Sequence, residues 1–112
     1  MASQEEVKEA LNKWISKMDD PEVADEFEDY NKTLQFFFPD IDYKIKMVFK
    51  DKKARLEDGL DEKAEMSLEM DSNDFIGIND GSVDPMELFM DGAIIIKGDM
   101  NAIQRLEVFM DL

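Results

Sequence analysis

The stretch DPMELFMDGAIIIKGDM, residues 84–100, decides how the chain folds. Asp84, Pro85 and Glu87 form a helix start: an N-cap oxygen, a proline at the first helical position and a glutamate at the third. Gly92 stands where a helix ends in the left-handed conformation. Ala93–Lys97 is too short and too β-branched for a further helix, so it is a strand. Gly98 breaks the strand, and Asp99 caps a final helix with Met100, Ile103, Leu106 and Met110 along one face. Within the strand, Ile94 and Ile96 share a face and Ile95 takes the other.

Upstream, Ala64, Met66, Leu68 and Met70 alternate with Glu65, Ser67 and Glu69, the period of a half-buried strand. Ser72 is the expected cap of a short helix bearing Phe75, Ile76 and Ile78, stopped by Gly81. The first half opens with Ser3 and Glu6 at capping-box spacing, followed by Val7, Leu11, Trp14, Ile15 and Met18 at helical intervals over residues 4–18. Asp20-Pro21 begins a second short helix. Leu34, Phe36 and Phe38 then alternate, Pro39–Asp42 turns, and Tyr43, Ile45, Met47 and Phe49 mark the cleanest strand. A short strand covers Ala54–Asp58. The order α, α, β, β, β, β, α, α, β, α predicts an α+β fold: a five-stranded, mostly antiparallel sheet with helices covering one face, in a single domain over residues 1–112.

The bulk composition excludes several classes. With 28 acids against 13 bases the formal net charge is −15, which argues against a nucleic-acid partner. There is no cysteine and no histidine, so disulfides, the usual zinc ligands and a Cys or His nucleophile–base pair are all excluded. The chain carries no G-x-S-x-G motif and no nucleotide loop, and no carboxylate pair stands out. The expectation is a non-enzyme without catalytic residues, metal or cofactor. No run of about 18 apolar residues exists, so stable membrane insertion is not expected. The opening MASQEEVKEA does not read as a signal peptide and the closing FMDL is not a peroxisomal address; the expected compartment is the cytoplasm.

The succession from Ala64 to Phe109 carries a family resemblance. The strand at Met66 leads into a capped short helix with Phe75; then come Gly81, Pro85, a helix bearing Phe89, Gly92, a five-residue strand, Gly98 and Met100 in a last helix. This frame resembles the sterol carrier protein type-2 family of lipid-binding domains, and the first half agrees in element order. The resemblance implies an apolar tunnel between sheet and helices, a carrier role, and as partner an apolar lipid: a fatty acid, acyl-CoA, sterol or phospholipid. It implies a lining drawn from Met66, Leu68, Met70, Phe75, Ile78, Met86, Phe89, Met90, Ile94, Ile96, Met100, Ile103, Leu106 and Phe109. Methionine suits such walls because it is unbranched and adapts to varied apolar surfaces. Ile95 stands where the family usually has a polar outward residue.

Two charged features have competing readings. Residues 43–56 sum to +5, leaving −20 for the remainder. Lys44, Lys46, Lys50, Lys52, Lys53 and Arg55 are either a handle for an anionic head group or the solvated outer face of a strand pair. The acidic clusters Asp71–Asp74 and Asn79–Asp84 do not follow the order of an EF-hand loop, and helix capping is their expected role. The alternative to a carrier is a solidly packed structural or interaction module, either a homodimer through Ile95 or an accessory to a lipid-metabolising enzyme.

Overall fold

The computed structural model describes residues 2–98. Helix α1 (Gln4–Ser16) starts with the expected capping box, in which Ser3 Oγ accepts from Glu6 N–H at 3.1 Å and Glu6 Oε1 accepts from Ser3 N–H at 3.2 Å. It ends two residues earlier than the periodicity suggests, because Lys17–Asp19 tighten into a 3-10 turn that buries Met18. Asp20 and Pro21 start α2 (Pro21–Glu26).

Strands β1 (Lys32–Phe38), β2 (Tyr43–Lys50) and β3 (Lys53–Asp58) form an antiparallel meander. Strand β4 (Met66–Glu69) then pairs with the free edge of β1 in parallel, and α3 (Ser72–Asp80) and α4 (Pro85–Met90) follow. Strand β5 (Ile95–Gly98) closes the order β3-β2-β1-β4-β5, antiparallel to β4. The fold is α+β and its sheet mostly antiparallel, as the alternation predicts; the one parallel pairing is β1 with β4. The expected final helix, with Met100, Ile103, Leu106 and Phe109, lies outside the described residues.

To reach β4 from β3 the chain must pass both β2 and β1. Residues 59–65 cross the outward face of the sheet to do so. Gln35, which points outward from β1, accepts from Asp61 N–H at 2.9 Å, and Glu65 accepts from Thr33 N–H at 2.7 Å. The centre of the inner face is apolar: Leu34, Phe36, Phe38, Tyr43, Ile45, Met47, Phe49, Met66 and Leu68 are all buried. Two aromatic groups fill it. Under α2, Phe27 stacks on Phe49 at 5.2 Å and Tyr30 meets both edge-on, its hydroxyl reaching Met66 Sδ at 3.1 Å. Under α1 and α3, Trp14, Phe36, Phe38 and Phe75 interlock with ring centroids 5.4–6.1 Å apart.

The basic residues of the β2–β3 hairpin stand on or beside the outer face, and four of them have partners. Lys46 lies 3.9 Å from Glu57 and Arg55 2.6 Å from the same carboxylate. Lys52 reaches Asp25 at 3.2 Å and Lys44 lies over the ring of Phe37 at 5.5 Å. These are the contacts of a solvated strand surface.

Glycines 92 and 98 both have positive φ but for different reasons. Gly92 (φ +76) ends the turn after α4 in open space. Gly98 (φ +117) lies against β4, where an added Cβ would come within 2.9 Å of Met66 Cα and nearer still to the Glu65 carbonyl oxygen. Thermal or urea unfolding should separate the two. Gly92→Ala is expected to cost about 1 kcal/mol, the ordinary left-handed penalty. Gly98→Ala is expected to cost more than about 2 kcal/mol, because β5 must also move off its neighbour.

Candidate functional site

A cavity of about 790 Å³ opens between α1, the last turn of α3 and the turn leading to α4. Its floor is Ala10, Trp14, Ile76, Ile78 and Val83, with Pro85 at one border; Glu6, Glu9, Lys13, Lys17, Asp80 and Asp84 are its charged lining residues.

The two helices run side by side in the same direction, tied at both ends. At the near end Ala2 N–H donates to Ser72 Oγ at 3.1 Å, and Ser72 in turn donates its hydroxyl to Asp40 Oδ2 at 2.5 Å and its N–H to Asp40 Oδ1 at 2.9 Å. At the far end Trp14 Nε1–H donates to Asn79 Oδ1 at 2.6 Å, while Asn79 Nδ2 is held by the carbonyl of Phe75 at 2.8 Å. Trp14 is 3% exposed, so the hydrogen bond satisfies a donor that would otherwise be stranded.

The third wall depends on Gly77. An added Cβ there would collide with Val83 Cγ2. Because Gly77 has none, the 81–84 turn folds back against α3, with Val83 N–H donating to Gly77 O at 3.1 Å, and sets Val83 into the cavity wall. Along the chain Gly77 stands only as a weak helix former inside α3. Its role depends on a turn that returns to the same helix face, which a linear pattern does not display.

Asp71 rather than Ser72 caps α3, accepting from Asn73 N–H at 2.8 Å. This corrects the expected cap. Ser72 is fully buried because its hydroxyl is spent on Asp40. Burial pushes the Asp40 carboxyl up, but the hydrogen bonds from the Ser72 hydroxyl and N–H outweigh it and hold the group below its usual value. Asp74 moves the other way: burial, then the nearby charges of Asp71 and Asp40, raise it.

The residues expected to line a tunnel divide by location. Met66, Leu68, Met70, Phe75, Ile78 and Ile94 are buried, and Ile96 is half-buried beside them. Of these, Ile78 borders the cavity. Ile94 lies inside and Ile95 outside, at 46% exposed, as their spacing predicts. Met86, Phe89 and Met90 are exposed, at 62%, 45% and 79%, so the described structure does not enclose them. They stand on α4, whose first residue, Pro85, borders the cavity. Met100, Ile103, Leu106 and Phe109 lie outside the described residues. Ala10, Trp14, Ile76 and Val83 were not among the expected lining. Trp14 and Ala10 read equally well as the core stripe of an amphipathic helix, and only the position of α3 makes them a cavity floor.

The sequence matches the SCP-2 sterol transfer family over residues 11–111. The fold is similar to the solution structure of sterol carrier protein domain 2 of Helicoverpa armigera, with a TM-score of 0.74 at 17% identity over 93% of this chain and 84% of that one. It is similar to palmitated SCP2L2 from Aedes aegypti, with a TM-score of 0.69 at 12% identity over 99% of this chain and 96% of that one. It also resembles part of the sec-alkylsulfatase Pisa1 from Pseudomonas sp., with a TM-score of 0.65 at 19% identity; there 80% of this chain matches 14% of that one. Curated proteins give no match by sequence.

The Ser72–Asp40 tie leads to a pH test. Because the folded state lowers the Asp40 pKa, its contribution is present above the unfolded value and is lost as pH falls through the lower folded one. Ser72→Ala should cost about 1–3 kcal/mol at neutral pH and flatten the decline in stability below pH about 4. Urea unfolding across an acid pH series measures both.

Proposed function

The chain belongs to the SCP-2 sterol transfer family, and from that premise we propose that it is a non-catalytic lipid-binding and carrier domain of the cytoplasm. Its ligand would be an apolar lipid held in the cavity between α1 and α3. The observation that carries this reading is the family match over residues 11–111. The open groove of about 790 Å³ between α1 and α3, lined by both apolar and charged side chains, is the candidate place for the ligand. A palmitated relative of the same fold supports the reading.

The energetics need no elaborate head-group chemistry. Each methylene removed from water contributes about 0.8 kcal/mol, so ten give roughly 8 kcal/mol before ordering costs. That is the scale of micromolar affinity. Met86, Phe89 and Met90 extend apolar surface from the α4 border of the cavity, where a chain entering or leaving would keep contact with flexible side chains.

A second reading has one observation in its favour. Ile95 is exposed on the outer sheet face beside β4, where a partner enzyme or second copy would find an apolar contact. Likeness to a segment of a much longer alkylsulfatase is consistent with an accessory role.

The carrier reading is tested with delipidated protein and a fluorescent fatty-chain probe. Binding should be micromolar and should alter Trp14 emission, since the indole forms part of the cavity floor. Ile76→Trp, which fills the half-buried edge of the floor, should raise Kd by at least about tenfold while the melting temperature stays close to wild type. An unchanged Kd would remove the cavity from the binding site.

A further inference from the structure

The strand registers line up one row of outward residues across the end of the sheet where β1 finishes and β2 begins. Lys44 of β2 pairs with Phe37 of β1, Phe37 with Glu69 of β4, and Glu69 with Ile95 of β5. Beyond Lys44 the chain leaves β3. Gly59 N–H donates to Lys44 O at 3.0 Å and Asp61 N–H to the outward Gln35, with Leu60 between these two anchors. From the β3 side to β5 the row is apolar, cationic, aromatic, anionic, apolar. Neighbouring strands lie about 4.8 Å apart, so Lys44 and Glu69 stand equally far on either side of Phe37. Leu60 and Ile95 flank them at 44% and 46% exposed. Phe37 is half-buried, and the Lys44 ammonium lies 5.5 Å from its ring centre. Among the described residues neither Lys44 nor Glu69 has an ion-pair partner.

We propose that this row is a self-complementary interface, on which a second copy of the chain docks about a two-fold axis through Phe37. A half-turn about that axis lays the row on itself in reverse. Each Lys44 then meets Glu69 of the other copy, each Leu60 meets Ile95, and the two Phe37 rings pack at the centre. A two-fold interface needs this property, because one patch must supply both partners of every contact. The row is the last outward one at its end of the sheet. Two sheets can therefore meet along it and diverge toward the 59–65 crossing. The adjoining hairpin, at +5 over residues 43–56, makes this the side on which a second copy of a −15 chain is repelled least. The proposal rests on the second reading above and narrows it, since the charge pattern selects a copy of the chain over a partner enzyme. It makes no use of the groove, which lies among the helices.

Sedimentation equilibrium of the full chain tests it. A row of five side chains falls well below the roughly 1,200 Å² of a stable complex, so a dimer constant on the order of 0.1 mM is expected. Lys44→Glu should weaken the dimer at least about tenfold, because two like-charge contacts replace two opposite ones. Glu69→Lys should weaken it as much, although it makes the chain less acidic and net repulsion alone would strengthen association. The double variant Lys44→Glu/Glu69→Lys should return to within about threefold of wild type. Lys50→Glu, which changes net charge as Lys44→Glu does but lies outside the row, should leave the constant nearly unchanged. A chain that stays monomeric up to about 1 mM, well beyond the expected constant, would overturn the proposal. So would a dimer that Glu69→Lys strengthens, that the double variant fails to restore, or that Lys50→Glu weakens as much as Lys44→Glu. The fatty-chain probe decides the carrier reading separately, whichever of these results is found.

Discussion

Everything about the site depends on where one indole sits. Trp14 reaches from α1 between Phe36 of β1 and Phe75 of α3, and its N–H is fixed by Asn79. A ring of this size held by edge-to-face contacts and a buried hydrogen bond sets the separation of two helices closely. Beneath it the space between helices and sheet is filled with aromatic rings. Above it the two helices cannot close, and the cavity is what remains. The same side chain therefore belongs to the core and to the floor of the site.

Much of the architecture was legible from one-dimensional signals. Period-two alternation located β1, β2 and β4, the β-branched run between two glycines located β5, and the Ser3, Asp20 and Asp84 caps located three helix starts. The opposite faces of Ile94 and Ile95 followed from spacing alone. These signals are local, and local physics enforces them. The cap at Asp71 was misassigned to Ser72 because both residues are good caps, and the choice between them is made by Asp40, more than thirty residues away.

The site was much less legible. Among the described residues, the lining that the family resemblance implies falls into two groups: Met66, Leu68, Met70, Phe75, Ile78 and Ile94 are buried, and Met86, Phe89 and Met90 of α4 are exposed. The groove between α1 and α3 draws on an alanine, a valine in a turn and the charged sides of two helices. Its shape comes from Gly77, where a missing methyl group lets a turn press against a helix. Composition cannot signal an absence of that kind, since a glycine within a short helix reads first as a weak point. The lysine-rich hairpin, by contrast, was conspicuous in sequence; Lys46 and Arg55 there lie beside Glu57 of β3, and Lys52 reaches Asp25 of α2.

The parallel pairing of β4 with β1 also bears on how the molecule comes into being. The β1–β2–β3 meander joins neighbours in sequence, so its contacts close short loops and can form early. Strand β4 must first traverse the sheet to find the far edge of β1, and α3 follows it. On the ribosome the N-terminal half, with α1 and its tryptophan, is thus exposed before the helix that completes the pocket has been synthesised. For that interval the indole and the aromatic row beneath it lack their cover. The groove between α1 and α3 is in this sense a late product of synthesis, dependent on a strand that must first cross the sheet.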